Sequence, residues 1–329
     1  MTLTCLGIEG TAHSFGAALV TNDGTIHSNL WDMLEPDSGG IHPREASQHH
    51  ARIGPELIKK AIKQGGIRPQ DIDLVAFSQG PGLGPSLRTT ATIARSLALT
   101  LSVPLVGVNH CIAHIEIGRM ESNFADPVTV YVSGGNSQII AYAGKRYRTF
   151  GETLDIAIGN MLDTFGRYVG MPFPAGPRVE IEARKGSKYH TLPYSVKGMD
   201  FSYSGMLTAA QRLHDDGVNL PDLCYSIQET AFGMIAEVAE RAIAHTGKKE
   251  LLLTGGVARN DRLSQMLTGL AKRHDSSYHR VSSSLAGDQG AMIAWTGMLQ
   301  YEHGNQITIE DSVVLPKWRT DEQKISWRL

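Results

Sequence analysis

A two-lobed α/β architecture, with one plan of strands and helices used twice, is the fold class that this sequence predicts. Three observations carry it: the length, a strand–glycine turn–strand order that occurs twice, and a strand–turn–helix–strand order that also occurs twice. At 329 residues with 41% hydrophobic side chains, the chain can bury two medium cores, and ordinary domain sizes favour two over one.

The first half opens on a strand from Leu3 to Glu9, whose alternation begins at Met1, followed by a Gly10-Thr11 turn, a strand from Ser14 to Val20, a hairpin at Asn22-Asp23-Gly24 and a third strand. The second half repeats that order with a strand from Val128 to Val132, the turn Ser133-Gly134-Gly135-Asn136, a strand from Gln138 to Ala143 and a hairpin at Gly144-Lys145. Apolar runs bounded by glycine and asparagine turns are what half-buried strands and hairpins require. Further on, Asp73 to Phe77 reads as a buried strand, Gly80-Pro81-Gly82-Leu83-Gly84 as a turn, Ser86 to Leu101 as a helix and Leu105 to Val108 as a strand, after which His110 begins a helix. The counterpart runs through Leu251 to Leu253, Gly255-Gly256, a helix from Asn260 to Arg273, a strand from Tyr278 to Val281, then Asp288 and a helix from Gly290 to Leu299.

In such units the loops at the carboxyl ends of the strands face one crevice. This predicts His110 and Asp288 at equivalent places in opposite lobes, 1–122 and 123–329, both looking into a nucleotide-binding cleft. That plan is the actin-like ATPase (ASKHA, ribonuclease H-like) fold. Residues 151–224 interrupt the duplication with the Pro/Gly-rich run Met171 to Pro177 and read as a substrate-binding insertion, while Ile307 to Leu329 reads as a polar surface strap with a short strand.

Composition excludes several classes. A formal net charge of −2 argues against coating nucleic acid by bulk electrostatics and leaves room only for a local patch, such as Arg44, Arg52, Lys59, Lys60, Lys63 and Arg68. The longest apolar stretches fall short of the ~20 residues that span a bilayer, and the N-terminus reads as a strand rather than a targeting signal. Three cysteines, far apart in sequence, give neither a disulfide framework nor a Cys-x-x-Cys metal knuckle, which fits a reducing, cytoplasmic setting.

His110-Cys111-Ile112-Ala113-His114 places two imidazoles on one helical face, able to share one ion. Asp288 offers a hard oxygen ligand and Tyr131 a phenolate, a set that suits iron or zinc without choosing between them. Zinc-protease chemistry needs a glutamate directly after the first histidine; Cys111 stands there. The turns at Gly10-Thr11, Ser133–Asn136 and Gly255-Gly256 are expected to leave backbone N–H groups free for phosphate oxygens. No Walker lysine pattern and no dinucleotide fingerprint follows a first strand. Asp155 to Gly166 reads as an amphipathic helix with Asp163 on its polar face; Asp163 and Glu180 are candidates for a ribose hydroxyl, and Arg167 and Arg178 for an anionic substrate.

Leu6 to His13, Gln79 to Pro85, Asn109 to Arg119, Tyr131 to Asn136, Asp155 to Phe165, Asp200 to Gly205, Gly255 to Asn260 and Gly287 to Ala294 together resemble the motifs of the universal tRNA N(6)-adenosine threonylcarbamoyltransferase family. The likeness runs nearly end to end. The Glu9-Gly10-Thr11-Ala12-His13 opening is similar to the archaeal and eukaryotic cytosolic branch, the catalytic subunit of the KEOPS complex. That branch works with a separate atypical small kinase, a dimerising subunit and a regulator, and no kinase-like sequence follows residue 329. The resemblance implies one divalent metal, iron by preference, on His110, His114, Tyr131 and Asp288. It also implies adenylate contacts at Tyr131, Val132, Ser133, Gly134, Gly135, Asp163, Gly176, Glu180 and Asn260. Ala175 and Gln289 depart from the usual Gly and Asn without removing a ligand. The implied reaction is transfer of threonylcarbamoyl from its adenylate to adenosine 37 of tRNAs reading codons that start with A, with the anticodon loop as partner and no membrane; no general base is named. A small-molecule kinase of the same fold, which would not need His110 or His114, and a non-catalytic nucleotide-binding scaffold are the rival readings.

Overall fold

The computed structural model describes residues 2–35 and 40–328; Met1 and Leu329, the outer ends of the first strand stretch and of the tail, lie outside them. The chain falls into two compact units, one formed by Met1–Glu121, Ala143–Tyr147 and Asp288–Leu329, the other by Ser122–Tyr142 and Arg148–Gly287.

The first unit begins with β1 (Thr4–Glu9), β2 (Ser14–Thr21) and β3 (Ile26–Met33), continues through α1 (Pro43–Gly65), β4 (Leu74–Gly80), α2 (Gly84–Leu101) and β5 (Leu105–Asn109), and enters α3 (His110–Ser122). The sheet order is β3-β2-β1-β4-β5, antiparallel from β3 to β1 and parallel from β1 to β5. Every residue of β1 is buried, as a strand covered on both faces must be. Side chains alternate across the sheet: Leu6 and Ile8 join a core with Phe15, Ile58 of α1 and Ala91 of α2, while Gly7 faces the opposite way.

The second unit runs through β6 (Val128–Val132), β7 (Ser137–Ala143), β8 (Arg146–Glu152), α4 (Ile158–Tyr168), α5 (Gly176–Ala183), the short pair β9 (Val196–Lys197) and β10 (Asp200–Phe201), α6 (Ser204–Asp215), α7 (Leu220–Thr246), β11 (Glu250–Thr254), α8 (Asp261–Arg273), β12 (Ser277–Arg280) and α9 (Ser283–Ala286). Its sheet, β12-β11-β6-β7-β8, has the same plan: β6 pairs antiparallel with β7 and parallel with β11, which pairs parallel with β12. Val130, Ile139, Phe165, Phe232 and Leu253 share one core there. The duplication read from the sequence is present strand for strand.

The last helix, α10 (Gly290–Glu302), departs from expectation. It packs on β1, β2, β4 and β5, so Asp288 and α10 belong to the first unit, with His110, and not to the opposite lobe. Backbone sits almost on backbone: a Cβ on Gly7 would meet Ala294 N and Gly290 O at 2.3 Å, and one on Gly290 would meet Ala18 N at 2.5 Å. Two glycines at one crossing allow an approach that no larger residue permits.

Other differences have local causes. The helix expected from Asp155 begins at Ile158, because the Asp155 carboxylate accepts from the backbone N–H groups of Ile156, Tyr203 and Ser204 and pins the start of α6 instead. The tail carries no named strand; Ile307 bridges to Leu105, Gln79 Nε2 donates to Val313 O, and Trp327 Nε1 donates to Glu116 Oε1 at 2.8 Å. The six cations of the α1 region are all exposed, with Lys59 paired to Glu56 and Arg68 to Asp71.

Candidate metal centre and glycine turns

Asn109 ends β5 and caps α3: its Oδ1 accepts from Cys111 N at 3.0 Å and Ile112 N at 3.3 Å, supplying two of the donors that a helix start leaves unmatched. The cap fixes where His110 and, one turn on, His114 project. Gln289 does the same for α10 by accepting from Met292 N at 3.0 Å, which fixes Asp288 just outside that helix. The result is a convergence: His114 Nε2 lies 3.2 Å and His110 Nε2 3.5 Å from Asp288 Oδ1, and one ligand atom from each residue lies within 4.8 Å of the others.

Electrostatics follow from that geometry. Burial works against a charged His110, but the Glu9 and Asp288 carboxylates outweigh it and raise its pKa to about 9. Burial lowers His114, and the charge of His110 adds to the effect. Asp288 is pushed up by burial, yet the two imidazoles reverse this and hold it well below the usual carboxylate range. The three side chains can hold a divalent cation. Bonds of ~2.1 Å in a tetrahedron put donors roughly 3.4 Å apart, close to the spacings of both nitrogens from the shared oxygen.

Glu9 was missed at the sequence level. Its carboxylate is fully buried; Oε1 accepts from Thr11 N at 2.8 Å and Thr11 Oγ1 at 2.7 Å, while Oε2 lies 3.0 Å from His110 Nδ1. A carboxylate closing an otherwise apolar buried strand is the signal that could have found it, since buried charges are rarely left without a task.

The glycine turns differ from one another. At Gly10-Thr11 the N–H groups are taken, by Ser78 Oγ at 3.0 Å and Glu9 Oε1, so that turn offers nothing to a phosphate; the expectation of free donors is corrected there by side chains from neighbouring strands. At Ser133–Asn136, Ser133 N donates to Asn136 O and Asn136 N to Ser133 Oγ, while Gly134 and Gly135 are exposed. Among the described residues no acceptor meets the N–H of either glycine. At the third turn Gly255 is buried with φ 95°, pressed onto Val132 O, and Gly256 is exposed.

The remaining predicted residues lie in the second unit as a connected chain. Gly159 N donates to Ser133 O and Asn160 N to Gly134 O, tying the open turn to the start of α4. Asp163, further along α4, accepts from Ala175 N at 2.7 Å just before Gly176 opens α5. Glu180 on α5 accepts from Asp261 N at 3.0 Å and from Arg184. Next to Asp261, Asn260 caps α8 through Oδ1 and donates from Nδ2 to Gln228 Oε1 at 2.6 Å. Tyr131 and Val132 end β6, both buried, and Asn136 Nδ2 donates to the Tyr131 hydroxyl at 3.3 Å. Arg167 and Arg178 are exposed. The gathered triad is thus His110, His114 and Asp288 of the first unit, with Tyr131 in the second.

Residues 27–295 match the family model TsaD, tRNA N6-adenosine threonylcarbamoyltransferase. The chain belongs to this family. A protein of Archaeoglobus fulgidus named tRNA N6-adenosine threonylcarbamoyltransferase is 53% identical over 325 residues, covering 99% of this chain and 100% of the relative. One of Methanocaldococcus jannaschii, named a probable bifunctional tRNA threonylcarbamoyladenosine biosynthesis protein, is also 53% identical over 99% of this chain, which spans 60% of that longer relative. Among solved structures, T. kodakarensis HypF aligns with a TM-score of 0.65 at 17% identity over 94% of this chain and 49% of its own. The ROK hexokinase of Thermus thermophilus aligns at 0.51 and 12% over 92% and 100%. These likenesses show the fold alone, and it is the actin-like ATPase fold. The transferase-family match and the fold agree with the sequence reading on both counts.

Proposed function

We propose that the chain transfers the threonylcarbamoyl group from threonylcarbamoyl-adenylate to the N(6) amine of adenosine 37 in tRNAs reading codons that start with A. The observation that carries this is the family match over residues 27–295, joined by relatives of the same length that bear the activity's name. In the reaction the amine nitrogen bonds to the carbamoyl carbon, the bond from that carbon to the phosphate oxygen breaks, AMP departs with the electron pair and the amine gives up one proton. An amine conjugated to a purine is a weak nucleophile, so positioning and stabilisation of the leaving phosphate outweigh base catalysis.

The second unit supplies groups suited to the adenylate. The exposed N–H groups of Gly134 and Gly135 suit phosphate oxygens, and Tyr131 to Gly135, Asp163, Gly176, Glu180 and Asn260 are assigned here as its contacts. His110, His114 and Asp288 would hold the metal; their two-nitrogen, one-oxygen set suits zinc or ferrous iron, and the family resemblance favours iron. Such an ion supplies Lewis-acid polarisation when bound. The partners proposed are the tRNA anticodon loop, splayed as single-stranded loops are when a base is read, and the separate small kinase, dimerising subunit and regulator of a KEOPS assembly. Among the described residues no helix is long and apolar enough to cross a membrane; the three cysteines are buried and none is in a disulfide, as a reducing compartment would leave them, and a cytoplasmic setting is part of the proposal.

The test is modification of tRNA by the chain with purified partners and synthetic adenylate, comparing wild type with His110→Ala and His114→Ala. Both changes are expected to cut product formation by at least about 100-fold, more than the loss of an outer-shell partner costs. Undiminished modification in both would sink the part assigned to the metal.

A further inference from the structure

The His110 ring has a carboxylate on each side. Nε2 faces Asp288 at 3.5 Å, and Nδ1 faces Glu9 Oε2 at 3.0 Å. Glu9 is itself held: Oε1 takes both the backbone N–H and the hydroxyl of Thr11, and the side chain is fully buried. A carboxylate so fixed is an acceptor for one proton on the ring, at Nδ1. A neutral imidazole that donates from Nδ1 carries its lone pair on Nε2, the nitrogen turned toward Asp288 and His114.

We infer that Glu9 is the positioning residue of the metal centre, selecting the His110 tautomer whose Nε2 lone pair points at the ion. This rests on the metal reading of the preceding section. Glu9 does not serve as a ligand: its bonded oxygen lies against Nδ1, the nitrogen turned away from the convergence point. Carboxylate–imidazole–metal series of this kind fix ring orientation and raise ligand basicity, and losing the outer partner typically costs about 10–100-fold in affinity.

Thr11 makes the inference sharply testable through Glu9→Gln. The Thr11 N–H must still find an oxygen, so the amide oxygen takes the place of Oε1 and the amide NH2 turns toward His110. Two donors cannot share that contact. The other oxygen in reach of Nδ1 is Thr11 Oγ1 at 3.4 Å, a longer and weaker contact than the amide donor would make, so His110 is driven to accept at Nδ1 and carry its proton on Nε2, which removes the lone pair from the metal side. The change adds no volume, and the Thr11 bonds survive.

The measurement is Zn(II) affinity by chelator competition on the full chain, with the unfolding temperature of the metal-free protein and the Nδ1–H proton resonance of the zinc-loaded protein recorded alongside. Glu9→Gln is expected to weaken Zn(II) binding about 10–100-fold and to lose the Nδ1–H signal, with the metal-free unfolding temperature kept; Glu9→Asp, which retains the acceptor, should fall between the two. Wild-type affinity in Glu9→Gln overturns the inference and leaves the metal reading standing. Equal affinity loss in Glu9→Gln and Glu9→Asp, accompanied by a lowered metal-free unfolding temperature in both, would show a structural role only and also overturn it. A wild type that retains no Zn(II) overturns the metal reading beneath it, and this inference with it.

Discussion

The turns after β1 and β6 occupy equivalent places in two sheets of one topology, and both consist of four residues, 10–13 and 133–136. Their chemistry is opposite. In the first, Glu9 ends the strand and its carboxylate closes the turn from within, leaving Gly10 buried against Thr90 and His50. In the second, Val132 ends the strand, has no polar group to offer, and Gly134 and Gly135 stay exposed. Duplication therefore carried over the backbone path and not the hydrogen-bonding role. One turn supports a histidine, and the other leaves two glycines exposed.

The strongest way to break this comparison is at the member of the triad that lies furthest along the chain from the other two. Asp288→Asn keeps the shape and removes the charge that both imidazoles face, so Zn(II) retention and tRNA modification are each expected to drop by roughly 100-fold or more, beyond the outer-partner range. Retained zinc, measured by elemental analysis after dialysis, would show that the two histidines alone form the site. A second test concerns how tightly the first turn is packed. His50, its ring 5.4 Å from that of Phe15, is lowered to about 4 by burial and by the neighbouring His49. Its folded pKa lies below the ordinary value of 6.5, so the unfolded chain takes up the proton first. The contribution of neutral His50 to stability is whole above about pH 6.5 and is lost as pH falls toward 4, by about 3 kcal/mol. Urea unfolding at pH 7 and pH 4.5 should show a smaller difference for His50→Phe than for wild type; an unchanged difference would mean that this ring is not held neutral.

Much of this was legible in the sequence, and the illegible part has a physical pattern. Strand pairs and the His110/His114 spacing are local periodicities, readable because a strand repeats every two residues and a helix brings i and i+4 together. The side on which α10 packs is not local: it is decided where Gly7 meets Gly290 and Ala294, small residues with no directional pattern. The same holds for the tail. Glu116 accepts from the Tyr147 hydroxyl, 31 positions away, and from Trp327, 211 positions away, while Arg119 pairs with its other oxygen. No window of sequence shows that knot, which turned an expected polar strap into a segment fastened to the helix that bears both histidines. Glu9 stood in a motif read as a strand end, and only its contact with His110, 101 positions on, gives it a role.

The smallest expected effects sharpen the comparison most. One methyl group can be added to each turn. In Gly10→Ala the new Cβ would meet Thr90 Oγ1 at 2.1 Å, with His50 and Phe15 at 3.3 Å, and overpacking of this kind costs about 1–3 kcal/mol. In Gly135→Ala it meets nothing within 4 Å, so unfolding free energy should stay within about 0.5 kcal/mol of wild type. Binding should respond in the opposite sense. If the adenylate phosphate binds as proposed, a methyl at 135 would stand in its approach to the N–H groups of this turn and is expected to weaken AMP binding about tenfold, the worth of one charge-assisted hydrogen bond. At position 10, AMP affinity measured well below the unfolding temperature should stay within a factor of two or so. Urea unfolding and calorimetric titration of the same two variants separate the alternatives. If Gly135→Ala destabilises the fold as Gly10→Ala does, the second turn is packed and not open; if it leaves both stability and AMP affinity untouched, the phosphate is held elsewhere in the second unit, and the exposed glycines answer only to the geometry of the turn.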